Sequence, residues 1–165
     1  MKLYTTGRAL KPFSEPVIAR VTTRPISAEE RHDYCVLIKK PSFCEFQDFS
    51  HYAGLVSAGS IEELGIDLKF LHFPVITSTP HLDLLEDGDV ISLDPSGFIR
   101  ILYRKKSPSN SILLTERCNS LCLMCSQPPK DTDDSNRIRE HLRLIDLIDV
   151  RFHFRNPPDF KEGDH

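Results

Sequence analysis

Three cysteines, Cys118, Cys122 and Cys125, stand at C-x3-C-x2-C spacing within Thr115-Glu116-Arg117-Cys118-Asn119-Ser120-Leu121-Cys122-Leu123-Met124-Cys125-Ser126-Gln127-Pro128-Pro129. Thiolates are soft donors, suited to zinc and to iron–sulfur clusters. Three of them can hold three irons of a cubane cluster and leave the fourth iron without a protein ligand. A small molecule can bind and react at that open corner. A structural zinc site wants a fourth protein ligand; the nearest candidates, His141 and His153, do not fall at finger spacing from a cysteine pair. A ferredoxin-type site wants a fourth thiolate, and Cys35 and Cys44 lie far upstream. Five cysteines is an odd count and no secretory signal precedes them, which argues against a disulfide framework. An open-site cluster is the leading reading of the trio, with zinc as the alternative.

The pattern resembles the signature of the radical S-adenosylmethionine (radical SAM) superfamily. The flanking residues, Cys118-Asn119 and then Leu123-Met124-Cys125-Ser126-Gln127-Pro128-Pro129-Lys130, resemble the C-type radical SAM maturases of the His-Xaa-Ser peptide-modification system over about residues 80 to 149. Met124 departs from the aromatic residue often found before the third cysteine. The resemblance implies that Cys118, Cys122 and Cys125 ligate a 4Fe-4S cluster whose open iron chelates S-adenosyl-L-methionine. One electron would then break a carbon–sulfur bond, giving methionine and a 5′-deoxyadenosyl radical that takes a hydrogen atom from the substrate. Backbone N–H groups from Asn119 to Met124 would hydrogen-bond the cluster sulfurs. The implied partners are a peptide with His-Xaa-Ser repeats, an electron-donor protein and a partner maturase. No further catalytic residue is singled out.

The elements that must position this loop can be read around it. Ile112-Leu113-Leu114-Thr115 reads as a short buried strand before the cysteines. A helix is expected from about Asp134 to Asp149, where Ile138, Leu142, Ile145 and Ile148 recur on one helical face. Acidic residues at its start suit the positive end of the helix dipole. Strand, loop and helix form the first half of a βαβ unit and, by the resemblance, the first unit of a radical SAM (β/α) barrel. Arg117 and Glu116 read as exposed loop charges, His141 as a residue on the polar side of the helix, and Cys35 as a small buried apolar residue.

Upstream, residues 1 to 103 read as a β-rich domain, a small barrel or sandwich. Val17 to Thr22 is one expected strand; Tyr34 to Ile38 is another, apolar enough to be buried on both faces. Ser27-Ala28-Glu29-Glu30 and Ser60-Ile61-Glu62-Glu63 both fit capping boxes. Pro74 argues against a central strand in the apolar run Phe70 to Ile76. Asp94-Pro95-Ser96-Gly97 predicts a hairpin turn between residues 89–93 and 98–103, entered through Gly88. Arg104 to Asn110 is polar and reads as a linker, 104–110. Residues 111–149 then form the cluster-loop unit, and 150–165 a tail outside the family pattern.

The fold class expected is therefore α+β. With 165 residues, 39% hydrophobic and 27% charged, the chain suits a globular protein with a modest core. No apolar run is long enough to span a bilayer, and a net charge of −3 gives no nucleic-acid footprint. Free thiols and a cluster motif fit a reducing cytoplasm. Only 40 residues follow Cys125, whereas a full barrel takes about 250. No Gly-Gly-Glu-type segment for the amino group of S-adenosylmethionine is present. The chain is thus expected to be a truncated maturase, inactive alone. The alternatives are a non-catalytic β-domain that docks peptides, with a vestigial cluster loop, and a zinc-stabilised adaptor.

Overall fold

The computed structural model describes residues 3–10, 13–40, 46–112, 115, 117, 131 and 133–148. Eight strands, β1 (Tyr4–Thr6), β2 (Arg8–Ala9), β3 (Val17–Thr22), β4 (Tyr34–Ile38), β5 (Gly54–Ser57), β6 (Val75–Thr77), β7 (Val90–Leu93) and β8 (Phe98–Tyr103), make one sheet. Two α-helices accompany it: the single turn α1 (Ile61–Leu64) and α2 (Ser135–Leu147). The chain is of the mixed α and β class and rich in strand.

The strand order is β1-β8-β7-β3-β4-β5-β6-β2. The two ends of that order are consecutive in sequence, separated by Gly7 alone. One segment, residues 4–9, therefore pairs with β8 through its first half and with β6 through its second, and the sheet closes into a barrel. Closure removes the free edges that an open sheet presents. Strands β3 to β6 run parallel to their neighbours, and β7, β8 and the 4–9 segment supply the antiparallel contacts.

The seam depends on two glycines. Gly7 N–H donates to Gly97 O at 2.9 Å. A Cβ at Gly7 would stand 2.2 Å from Thr79 Oγ1 and 2.6 Å from Ile76 Cγ2. A Cβ at Gly97, where φ is +86°, would stand 2.2 Å from Gly7 O. Gly97 also ends the β7–β8 turn, where its N–H donates to Asp94 O at 2.8 Å, as the Asp-Pro-Ser-Gly sequence requires.

Alternation along the strands divides the apolar residues between two layers. Ala19, Val21, Cys35, Leu37, Val56, Ile76, Ile91, Leu93, Ile99 and Ile101 fill the barrel. Val36, Ile38, Leu55 and Val75 face outwards on β4 to β6, where Phe46, Tyr52 and Leu71 from the crossover connections cover them. Parallel neighbours require such crossovers, and burial on both faces explains the unbroken apolar run of β4.

The Ser60 capping box is present: Glu63 N–H donates to Ser60 Oγ, Ser60 N–H donates to Glu63 Oε2, and Gly65 closes the turn at φ +63°. At Ser27 no α-helix follows; Ser27 Oγ donates to Glu30 Oε2 and a 3-10 turn spans Arg31–Asp33. Pro74 does not exclude a central strand. β6 begins at the next residue, between β5 and β2, and Pro74 O accepts from Leu55 N–H at 2.9 Å. A proline is tolerated there because it lies just outside the ladder.

Helix α2 packs on the outer face of β3, β7 and β8 through Leu144 and Leu147, against Val90, Ile18, Leu102 and Tyr103. That differs from the strongest periodicity in its sequence. Ile138, Leu142 and Ile145 are 59%, 59% and 54% exposed. Ile148, the fourth residue of that period, caps the helix and packs on the barrel side with Leu144 and Leu147.

Candidate functional site

Cys118, Cys122 and Cys125 lie outside the described residues, as do Leu113, Leu114, Cys44, His153 and the 150–165 tail. The short buried strand expected over Ile112–Thr115 is not seen at its two described residues: neither Ile112 nor Thr115 is in a strand, and Ile112 is exposed. The described residues 115, 117, 131 and 133–148 bracket the cysteines in sequence. At the base of the loop, Arg117 Nε and Nη2 reach Asp131 Oδ1 at 3.1 and 2.9 Å, joining residues on either side of the cysteines. Arg117 N–H also donates to Thr115 Oγ1 at 2.9 Å. The Arg117 and Asp131 side chains are 66% and 88% exposed, so this clasp contributes at most about 1 kcal/mol. It sets a geometry more than a stability. The carboxylate of Asp133 next stands below its ordinary pKa, because Ser135 donates to it from both Oγ and backbone N–H. Both bonds tie the chain into the start of α2.

Three arginine contacts hold α2 to the barrel along its length. Arg100 on β8 pairs with Glu140. Arg143 pairs with Asp33 of the 3-10 turn at 2.7 Å. Arg20 on β3 donates from Nε and Nη2 to Leu147 O at the helix C-terminus, the former at 2.9 Å. A cation there meets the negative end of the helix dipole and an orphan carbonyl at once. Tyr34 fixes Arg20 in turn: its Oη accepts from Arg20 Nη1 at 3.0 Å and its ring lies 5.4 Å beneath the guanidinium. These residues carried no signal in sequence, because their partners lie tens of residues away.

Between α2 and the barrel is a cleft of about 600 Å³, lined on the barrel side by Glu15, His32 and Arg100 and on the helix side by Asn136, Arg139 and Arg143, among others. It opens beside the first turns of α2, which begins ten residues after Cys125 in sequence. The cations Arg100 and Arg143 are already paired, while Arg139 donates to Asn136 Oδ1 at 2.5 Å. Charged side chains line the cleft, but its exposed lining is more apolar than polar, with Pro16, Val17, Ile18 and Ala53 contributing.

Cys35 is 1% exposed inside the barrel, and burial pushes its thiol pKa far up. It is a packing residue and no nucleophile. His141 is half buried, and its Nδ1 has no hydrogen-bond partner, so it is less solvated than its place in the helix pattern implies. No group of three or more His, Cys, Asp or Glu side chains among the described residues could hold a metal ion. The three thiols of Cys118, Cys122 and Cys125, within eight residues of sequence, lie outside the residues to which that statement applies. Among the described residues no helix is long and apolar enough to cross a membrane. No family model matches the chain, and no curated protein does.

Proposed function

We propose that this chain carries the cluster-binding segment of a radical SAM peptide maturase of the His-Xaa-Ser type, with the strand–loop–helix as the first unit of its (β/α) barrel. Cys118, Cys122 and Cys125 would hold a 4Fe-4S cluster as thiolates. The observation that carries this reading is the C-x3-C-x2-C spacing immediately ahead of a helix. When bound, the cluster would supply the electron that cleaves S-adenosyl-L-methionine. The chain's own residues mount the loop. Arg117 and Asp131 clasp its base, Asp133 and Ser135 lead it into α2, and Arg20, Arg100 and Arg143 hold α2 on the barrel. The cleft beside α2 is the natural place for part of a peptide substrate, close to the loop exit. A preorganised support of this kind is what positioning a reactive centre requires.

A specific observation favours a second reading, a peptide-docking barrel with no chemistry of its own. Among the described residues, the barrel's inner cluster is built entirely from residues between Ala9 and Ile101. The test is to replace Cys118, Cys122 and Cys125 by Ala. The first reading expects S-adenosylmethionine cleavage, measured as methionine released under strong reductant, to vanish in the triple variant. If the parent protein binds a His-Xaa-Ser peptide without any cleavage, and the triple variant binds it equally well, the docking reading replaces the first.

A further inference from the structure

The exposed stripe of α2 is apolar, continuous and flanked by charge in a pattern that selects a partner. Ile138, Leu142 and Ile145 are each more than half exposed on the side away from the barrel. Arg139 and Asp146 flank them. At about 100° per residue, Arg139 lies some 60° around the helix from Leu142 and Asp146 some 40°, both in the same sense. The two opposite charges therefore share one flank, seven residues apart in sequence, or about 10 Å along the axis. Among the described residues Arg139 bonds only within its own helix, to Asn136, and Asp146 is exposed; neither makes an ion pair there.

We propose that α2 pairs antiparallel with α2 of a second copy of this chain. A two-fold axis through the point midway between Arg139 and Asp146, beside Leu142, stacks the two stripes. In antiparallel helix pairs like flanks meet, so each Arg139 comes level with Asp146 of the partner subunit, and two reciprocal ion pairs bracket the aliphatic contact. A parallel pair would put the two charged flanks on opposite sides of the seam, where Arg139 and Asp146 could not meet. The chain thus encodes an isologous contact, self-complementary in both charge and apolar surface. Three aliphatic side chains and one helix face per copy make a small contact, so the dimer is weak, with a Kd on the order of 10–100 μM. The pairing is independent of what the cysteine loop binds.

Sedimentation of the whole chain over roughly 1–500 μM tests it. The expected result is a reversible monomer–dimer equilibrium. Leu142→Glu, at an exposed position that leaves the barrel intact, is expected to weaken dimerisation at least ~10-fold, because it places a carboxylate in the apolar seam. Arg139→Asp and Asp146→Arg are each expected to weaken it several-fold, and the double exchange to restore it. Circular dichroism verifies that each variant is folded. A chain that stays monomeric throughout overturns the proposal, whether the stripe is bare or covered by another part of the same chain. So does a dimer indifferent to Leu142→Glu, or one in which the double exchange fails to rescue.

Discussion

Replacing Gly7 by Ala tests barrel closure at its tightest point. The added methyl would meet Thr79 Oγ1 at 2.2 Å, Ile76 Cγ2 at 2.6 Å and Thr77 O at 2.8 Å. Ordinary carbon contacts lie at about 3.5–4.0 Å, so the seam must open by nearly an ångström. The neighbours have nowhere to go: Ile76, Thr77 and Thr79 are at most 2% exposed, and Thr77 offers backbone rather than a flexible tip. Overpacking of this sort costs about 1–3 kcal/mol, and the bond from Gly7 N–H to Gly97 O is strained with it. We expect about 3 kcal/mol. Gly65→Ala is the control. A methyl there meets nothing within 4 Å, and only its left-handed φ of +63° is penalised, at about 1 kcal/mol. Urea unfolding monitored by circular dichroism measures both. The midpoint is expected to fall much further for Gly7→Ala than for Gly65→Ala, with an unchanged slope. A Gly7→Ala cost at or below that of Gly65→Ala would refute the closed seam, since an open edge accommodates a methyl freely.

Two further outcomes follow from the same geometry. Arg20→Ala is expected to cost about 1.5–3 kcal/mol of α2 docking, through loss of the charged bonds to Leu147 O, and amide exchange should quicken across Ser135–Leu147 while β4 and β7 stay protected; uniform quickening would contradict a local clamp. Cys35 is expected to resist alkylation in the folded protein and to make stability fall with rising pH. Its thiol pKa is raised in the native barrel, so the native state keeps its proton while the unfolded chain loses one above about pH 8.5. The contribution is whole below that pH and declines above it by about 1.4 kcal/mol per pH unit, a slope that Cys35→Ala should remove. Equal slopes in the two proteins would contradict it.

The legible parts of this fold are those written locally. The apolar run Tyr34–Ile38, the Ser60–Glu63 box and the Asp94–Gly97 turn each specify their own geometry within a few residues. The barrel was legible only as one of two options for a β-rich domain, barrel or sandwich. Tyr4-Thr5-Thr6-Gly7-Arg8-Ala9 alternates weakly, and its role lies in joining two strands, β8 and β6, far along the chain. The helix at 135–147 was legible, but not the face it buries. Periodicity marks Ile138, Leu142, Ile145 and Ile148, whereas Arg20, Arg100 and Asp33 select the orientation that buries Leu144 and Leu147 and brings only Ile148 of that face against the barrel. In the candidate site, the cysteine spacing is a purely sequential signal. The Arg117–Asp131 clasp is not, because an arginine beside a ligand loop reads as solvated until its partner across the loop is seen.

The most direct test of the account is the metal content and absorption spectrum of the whole chain after anaerobic reconstitution with iron and sulfide. The account predicts about four irons and four sulfides per chain, a visible charge-transfer band, and loss of both when Cys118, Cys122 and Cys125 are replaced by Ala. A colourless protein holding one tightly bound zinc, or iron uptake that survives the triple replacement, would contradict it.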